Sequence, residues 1–168
     1  MPRLSRIMFD KAAPLSLLLI PLILLVPATA FASGLTTGSG NFVATITSAT
    51  TVFSSGGYTL YHYSGPDVLT GTETGTGTFT IYLLVFPSGA SAGVGSVTCP
   101  CTVGGRTGTL SIHFTTQGTS TGTGTGQGSV TGSGGLEGLH GDLTFQYIAT
   151  GTGFSGPYQV QYEFNSDD

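Results

Sequence analysis

The chain has 168 residues, of which 28 are glycine and only 7% are Asp, Glu, Lys or Arg, and its formal net charge is −4. Its four basic residues are too few to neutralise a row of phosphates, which argues against a nucleic-acid partner. The same shortage argues against electrostatic binding to anionic lipid.

The first 32 residues have the pattern of a secretory signal peptide. A basic start over 1–11 precedes an apolar run over 12–26 and a small-residue exit at Ala30 and Ala32. A retained anchor is the alternative, because 12–32 is 21 residues long and roughly 20 span a bilayer. Three prolines interrupt that run and favour cleavage. The sequence therefore predicts a secreted chain, cleaved after Ala32 and not membrane-bound once this segment is removed.

The remaining segment, 33–168, is predicted to form one domain. Its 136 residues match the size of an ordinary domain. Arg106 is its only basic residue, and one cation against seven acids gives a net charge of −6. Seven Tyr and eight Phe lie in alternating runs of this segment, which argues against disorder despite the high glycine content.

Eight segments alternate apolar and polar residues with the period of a β-strand, and none has helical spacing. They are 40–54, 58–69, 72–86, 89–99, 107–117, 119–131, 142–150 and 157–165. Short connections between them favour antiparallel neighbours in a meander. Closing the sheet buries the apolar faces and removes the edges. The sequence thus predicts an all-β, closed eight-stranded antiparallel meander barrel of the calycin-like kind, with a two-sheet sandwich as the alternative.

Two Thr-Gly tracts, 72–80 and 119–129, place threonines on one strand face and bare backbone on the other. One interpretation is a surface for a flat partner such as a polysaccharide, or an array resembling ice-binding threonines. The other is that glycine allows strands to coil tightly and to approach one another closely. We favour the second, because the threonine spacing does not continue across successive repeats.

Cys99 and Cys101 flank Pro100 in an exported chain, where thiols are normally oxidised. Their side chains share one face of an extended strand, so a local structural disulfide is the favoured interpretation. Free or intermolecular thiols and a redox or metal function are the alternatives. The spacing differs from the C-x-x-C of thioredoxin-like catalysts.

Three further residues are candidates for ligand contact. Arg106 follows Gly104 and Gly105 at a turn, where it either clamps an anionic ligand at a barrel mouth or, as we favour, pairs with a neighbouring acid. His62 lies between two tyrosines and Tyr82 lies in a strongly apolar strand. One interpretation is that both side chains face a ligand, and the other is that they are ordinary core or surface residues of their strands. A register shift of one residue would exchange the two faces and reverse the choice.

The stretch GSGGLEGLHGDLTF, 132–145, contains two acids and a histidine among five glycines. Glu137, His140 and Asp142 could form an acid–base group. We favour the interpretation that they are polar turn residues between two strands, because residues three apart, such as Glu137 and His140, lie side by side only on a helix. The three histidines of the chain lack metal-ligand spacing. A phosphate loop would need a following helix. We therefore predict no metal site and no cofactor.

Within this stretch, the glycines Gly132, Gly134, Gly138 and Gly141 fit the pattern G-[ST]-G-x-[FL]-x-G-[ALV]-x-G of allene-oxide-cyclase-like barrels. An earlier G-G-R-x-G-[TS]-[LF] segment at 104–110 and a final Y-x-[LV]-x-Y-x-F strand occur in the same order. In these features the chain resembles a family of small, uncharacterised bacterial proteins with that barrel. The similarity covers 39–165.

The resemblance implies the barrel fold but no established reaction, and many members of that family lack a signal peptide. Plant allene oxide cyclases and dirigent proteins share the barrel and act on apolar or phenolic compounds inside it, the latter with acidic and tyrosine side chains. The leading hypothesis is a secreted barrel that binds a small apolar molecule without catalysis, or a structural module.

Two alternatives remain. The first is a cyclase- or isomerase-like enzyme that steers a lipid or phenolic compound in the lumen with Glu73, His113 or Tyr82. A weaker one is adhesion through the threonine-rich strand faces. An acid beside a His or Tyr in an open lumen favours the enzyme, an all-apolar lumen favours the binder, and a filled lumen contradicts both.

Overall fold

The structure, a computed structural model, describes residues 34–165, and the predicted signal peptide lies outside them. Nine strands and one 3₁₀ turn follow one another along the chain. They are β1 (Thr36–Thr45), β2 (Ser48–Ser55), β3 (Tyr58–Gly71), β4 (Glu73–Val85), β5 (Ser91–Val103), β6 (Arg106–Gly118), β7 (Thr123–Ser133), the 3₁₀ turn (Gly134–Leu136), β8 (Leu139–Thr150) and β9 (Gly153–Phe164). No helix within the described residues is long and apolar enough to cross a membrane.

Eight of the strands close into an antiparallel barrel. Strands β3 to β9 form a meander, and β1 pairs with β9 on one side and with the second half of β3 on the other. Ala44 illustrates the closure, because it lies opposite both Asp67 of β3 and Phe154 of β9. The prediction of an all-β, closed eight-stranded meander barrel is therefore confirmed.

The ninth strand is a correction to the predicted strand 40–54. The structure divides that segment into β1 and β2, because the chain changes partner between them. The Ile46 N–H donates to the Thr152 carbonyl at 2.8 Å, whereas the Thr47 N–H donates to the Ser64 carbonyl at 3.0 Å. Strand β2 then pairs with the first half of β3 and lies outside the closed ring, with all its residues exposed.

The Thr-Gly tracts place glycine inside the barrel and threonine outside. On β7, Gly124 and Gly126 face inward beneath the rings of Tyr147 and Phe145, and a Cβ atom at either glycine would overlap those rings. Bare backbone thus leaves room for aromatic side chains from the neighbouring strand, as in aromatic rescue of glycine. This arrangement fits the close-packing interpretation of the tracts.

The glycine-rich stretch 132–145 closes one end of the barrel. Gly134 and Gly138 adopt φ values of +64° and +81°, which favour glycine. Between them the 3₁₀ turn inserts Leu136, which is fully buried. A Cβ atom at Gly132 would overlap the Leu136 carbonyl, and one at Gly141 would overlap the β9 backbone. The glycines therefore permit a tight closure, and β8 begins at Leu139 rather than at the predicted residue 142.

Candidate functional site

The lumen of the barrel contains a cavity of about 70 Å³. Most of its wall is apolar or aromatic and comes from Phe42, Ala44, Leu69, Phe79, Ile81, Leu83, Val97, Ile112, Phe114, Leu143, Phe145, Tyr147, Phe154 and Tyr158. Asp67, Glu73 and Thr116 complete it. Other buried side chains, including Val103 and Leu136, do not line the cavity. The lumen is thus filled over part of its length and open over the rest.

Aromatic rings form one side of this cavity through edge-to-face contacts. The Phe145 ring lies 5.6 Å, centroid to centroid, from both Phe42 and Phe114. Tyr147 and Phe154 make a similar contact at 5.7 Å. This geometry is the preferred one for aromatic pairs. The four phenylalanines are only partly buried, so this wall also reaches solvent.

Asp67 and Glu73 enter the lumen on either side of a bend between β3 and β4. Gly71 has a φ of +109°, which residues other than glycine rarely adopt. The Thr72 N–H then donates to the Ser39 carbonyl of β1 at 3.0 Å. Strand β4 begins directly afterwards, with the Glu73 side chain inside the barrel.

Both carboxyl groups are almost completely removed from solvent. Asp67 is 2% exposed and Glu73 is 1% exposed. Asp67 Oδ1, Glu73 Oε2 and Thr116 Oγ1 have no hydrogen-bond partner among residues 34–165. An unsatisfied buried polar group costs about 1–3 kcal/mol, and a buried, unpaired charge costs more. The fold therefore bears an energetic penalty at three points of one cavity.

Burial shifts the titration of both acids toward neutral pH. Desolvation raises the pKa of Asp67 to about 6 and the pKa of Glu73 to about 7, the nearby Tyr158 hydroxyl opposing the rise at Glu73. Desolvation of the charged form has this direction for any carboxyl group. Near pH 7 the Glu73 carboxyl thus exists in both protonation states, and it can donate or accept a hydrogen bond.

Tyr158 of β9 fixes the geometry around Glu73 by reaching across β1 at Gly40, which lies opposite both Tyr158 and Gly71. Its hydroxyl accepts a hydrogen bond from the Glu73 N–H at 3.1 Å and donates to the Thr70 carbonyl at 3.2 Å. Burial raises the pKa of Tyr158 to about 12, so the hydroxyl stays protonated at neutral pH. Two carboxyl groups and one phenol therefore converge on an otherwise apolar cavity.

Of the three candidates for catalysis, only Glu73 lines the cavity. Tyr82 is 49% exposed, and His113 is exposed on β6 between the inward-facing Ile112 and Phe114. Tyr82 stacks instead on His62 of β3, with 4.6 Å between ring centroids. His62 and Tyr82 therefore form a pair on the outer face, and the structure brings neither them nor His113 to Glu73.

Arg106 contacts a carbonyl and an aromatic ring rather than an acid. Its Nε donates to the Gly135 carbonyl at 3.2 Å, and its guanidinium carbon lies 4.2 Å from the centroid of the Phe164 ring. Arg106 therefore does not pair with an acid as we expected, because the adjacent 3₁₀ turn offers its guanidinium a backbone carbonyl instead. Arg106 does not line the cavity.

The two acids and the histidine of the glycine-rich stretch do not assemble into a group. His140 Nε2 lies 3.1 Å from Oε1 of Glu163 on the adjacent strand, and its Nδ1 lies 3.1 Å from the Gly138 carbonyl. Glu137 and Asp142 are exposed, and neither makes a hydrogen bond or ion pair with His140. Within residues 34–165, no three His, Cys, Asp or Glu side chains are arranged to hold a metal ion.

Cys99 and Cys101 form a disulfide, with 5.3 Å between their Cα atoms. Both side chains face the core and are essentially unexposed. They cover Gly75 of the first Thr-Gly tract, where a Cβ atom would lie 2.7 Å from Cys101 Sγ. The bridge therefore packs against bare backbone inside the barrel.

Sequence reasoning missed Asp67 and Tyr158 as site residues. Alternation did place Tyr158 on the apolar face of the last strand. The same alternation puts Asp67 on one face with Leu69, so an acid on an apolar strand face was the available signal. Neither pattern shows that the two side chains share a cavity with Glu73, because that depends on barrel closure.

No protein-family model and no curated protein matches this chain. Among solved structures, the chain is similar to the crystal structure of a protein with unknown function from the DUF3224 family of Shewanella oneidensis MR-1. The TM-score is 0.64 at 16% identity, and the match covers 79% of this chain and 99% of that chain. At this identity the similarity establishes a shared fold.

Proposed function

We propose that this protein is an exported, allene-oxide-cyclase-like barrel that binds a small, mainly apolar molecule in its lumen. The observation that carries the proposal is the pair of buried acids, Asp67 and Glu73, whose Oδ1 and Oε2 atoms have no hydrogen-bond partner among residues 34–165 in a mainly apolar cavity. Buried polar groups are normally hydrogen-bonded, and shifted pKa values cluster at functional sites. A ligand that supplies hydrogen-bond donors would remove the penalty.

The dimensions of the cavity restrict the ligand. Pockets for drug-sized molecules measure roughly 300–1,000 Å³, whereas this cavity measures about 70 Å³. It accepts a molecule of a few non-hydrogen atoms, or the end of a longer apolar chain that leaves past the partly exposed phenylalanines. The end beside Asp67 and Glu73 carries a hydroxyl or amino group, because those acids need a donor.

A second candidate is an acid–base enzyme of the cyclase or isomerase kind. Glu73 beside Tyr158 is the combination of an acid and a tyrosine that favours an enzyme, since a carboxyl group with a pKa of about 7 can exchange protons near neutral pH. We place it second because the Tyr158 hydroxyl is already bonded to the Glu73 N–H and the Thr70 carbonyl, which leaves Glu73 as the one proton-transfer group. In such an enzyme Glu73 takes a proton from the ligand or returns one, and the protonated Tyr158 hydroxyl holds Glu73 in place. His113 and Tyr82 have no part in it.

Native mass spectrometry of the protein purified from the culture medium of its own host tests the proposal. We expect a reproducible adduct of low mass on a chain that begins at Ser33 and lacks two hydrogens at its cysteines. The double variant D67N/E73Q should lose the adduct. The matched variant E137Q/D142N, which changes two exposed acids in the same way, should retain it.

The same experiment separates the two candidates. A binder releases the captured compound unchanged after incubation with the purified protein, whereas an enzyme converts it and E73Q abolishes the conversion. A bare mass in repeated preparations, or an adduct retained equally by D67N/E73Q, would contradict the lumen as the binding site. A mass that includes residues 1–32 would contradict cleavage.

A further inference from the structure

A shallow groove of about 1000 Å³ runs across the outer face of the barrel. Most of its lining side chains, such as Thr115 and Gln127, alternate along their strands with those that face the lumen, so the groove lies on the outer face of the sheet. Thr116 and Phe145 line both the groove and the cavity. The groove crosses seven strands, from β3 to β9. Four glutamines line it, one each from β6 to β9: Gln117, Gln127, Gln146 and Gln159.

One row of directly paired residues forms the centre of the groove. Each member lies opposite the next on the adjacent strand, in the order Tyr82, Val94, Thr115, Gln127, Thr144 and Gln159. The row thus changes from an apolar, aromatic end to a polar end rich in amides and hydroxyls. A partner that fits it must have both apolar and hydrogen-bonding surface.

The polar side chains of the groove are not engaged within the protein. The four glutamines make no side-chain hydrogen bond to another residue between 34 and 165, and neither do Thr115, Thr125 and Thr144. Elsewhere on the outer face such bonds do occur, for example between Thr80 and Ser96. Each amide offers donors and an acceptor, and each hydroxyl offers both functions. The groove therefore presents a dense set of free hydrogen-bonding groups.

The groove is also neutral as far as residues 34–165 form it, since none of their Asp, Glu, Lys or Arg side chains lines it. A charged partner would lose hydration there without gaining a counter-charge, which is unfavourable. The acidic excess of the rest of the chain further disfavours an anionic partner. An uncharged partner is the one that matches.

An aromatic platform lies at the apolar end of the groove. Tyr82 is 49% exposed and is held by its stacked neighbour His62, and Val94 beside it is 56% exposed. Aromatic faces pack well against apolar C–H surface, and the Tyr82 hydroxyl remains free for hydrogen bonding. Sugar rings carry such C–H faces together with many hydroxyl groups.

A peptide fits this groove less well. Extended peptides bind by adding a strand to an unpaired sheet edge. Every strand that crosses the groove is paired on both sides, for example β4 with β3 and β5 at Tyr82. Only side chains are available to a partner there, which favours one whose own surface is dense in hydroxyl groups.

We propose that the outer groove binds a neutral oligosaccharide or polysaccharide, with Tyr82 stacking on a sugar ring and the glutamine and threonine side chains binding its hydroxyls. This site uses outer-face side chains and neither of the buried acids, and it shares only Thr116 and Phe145 with the lumen cavity. It gives the protein a second surface of different chemistry.

Affinity electrophoresis in gels containing a neutral polysaccharide tests this proposal, with a mixed-linkage β-glucan, a galactomannan and dextran as separate probes. We expect at least one to retard the wild-type protein. Y82A should weaken that retardation by about tenfold or more, and Q127A should weaken it in the same direction. Because both positions are on the surface, circular dichroism should show an intact β fold.

Matched controls come from outside the groove. Y58A changes another exposed tyrosine and Q161A changes another exposed outer-face glutamine, and both should bind as the wild type does. D67N/E73Q should also bind normally, which separates this site from the lumen. Retardation by none of the three probes, equal loss in Y58A and Y82A, stronger retention by anionic alginate, or binding of a neutral peptide panel in their place would overturn the proposal.

Discussion

Replacement of Glu73 with glutamine should remove much of the pH dependence of folding. Folding raises the pKa of Glu73 from 4.5 to about 7 and that of Asp67 from 3.8 to about 6. One pKa unit corresponds to about 1.4 kcal/mol, so each acid accounts for a loss of about 3 kcal/mol in the free energy of unfolding. Water that enters the cavity reduces this figure, which is therefore an upper value.

The sign follows from proton binding. Between about pH 4 and pH 7 the folded state holds protons that the unfolded state has released, so the free energy of unfolding falls as the pH rises. The contribution of the two protonated acids to the free energy of unfolding is complete below their unfolded-state pKa values. It is lost as the pH rises through their folded-state pKa values. E73Q should retain only the part of this decline that comes from Asp67, over about pH 4 to 6.

Urea unfolding at intervals between pH 4 and pH 8 measures the effect. Far-ultraviolet circular dichroism is suitable because the chain has no tryptophan. E137Q, which alters an exposed acid, should keep the wild-type profile. Because a glutamine in the cavity has its own cost, the diagnostic quantity is the difference in slope and not the stability at one pH. Equal slopes for wild type and E73Q, or a wild-type stability that rises from pH 4 to pH 7, would refute the reasoning.

Three further predictions concern the closed end and the disulfide. G132A should lower the free energy of unfolding by more than about 3 kcal/mol or prevent folding, because its Cβ overlaps the Leu136 carbonyl. The control G151A, with open space around it, should change the free energy of unfolding by less than about 0.5 kcal/mol, and urea titration of both variants measures the difference. L136A should lower the free energy of unfolding by about 2–5 kcal/mol, since the side chain is fully buried, and an effect below 1 kcal/mol would show that the turn does not close the barrel. Reduction of the Cys99–Cys101 disulfide should lower the free energy of unfolding by no more than about 2 kcal/mol, because so small a ring constrains the unfolded chain little. Urea titrations with and without reductant measure this, and a larger loss would contradict it.

Alternation was sufficient to predict the barrel, because it is a local property of each strand. Leu110 and Ile112 are buried and His113 is exposed, as the period of two requires. The break between β1 and β2 was not predictable in this way. It arises where Ile46 bonds to the β8–β9 turn at Thr152 and Thr47 bonds to Ser64 of β3, and that choice depends on residues far along the chain.

The candidate site shows the same division between local and long-range information. Glu137 and His140 are close in sequence, yet His140 contacts Glu163, because the pairing of β8 with β9 places those two opposite each other. Glu73 was among the candidates, but its neighbour Tyr158 is 85 residues away and reaches it only because β1 pairs with both β3 and β9. Sequence proximity therefore does not identify the partners of His140 and Glu73, whereas the pairing of β8 with β9 and the closure of the barrel through β1 do.

A high-resolution crystal structure of the protein purified from its own host tests the central claim most directly. We predict continuous electron density in the lumen for a small molecule, with a hydroxyl or amino group within hydrogen-bond distance of Asp67 or Glu73. Density for ordered water alone beside both carboxyl groups, in crystals of protein with the bare native mass, would contradict a ligand-binding lumen.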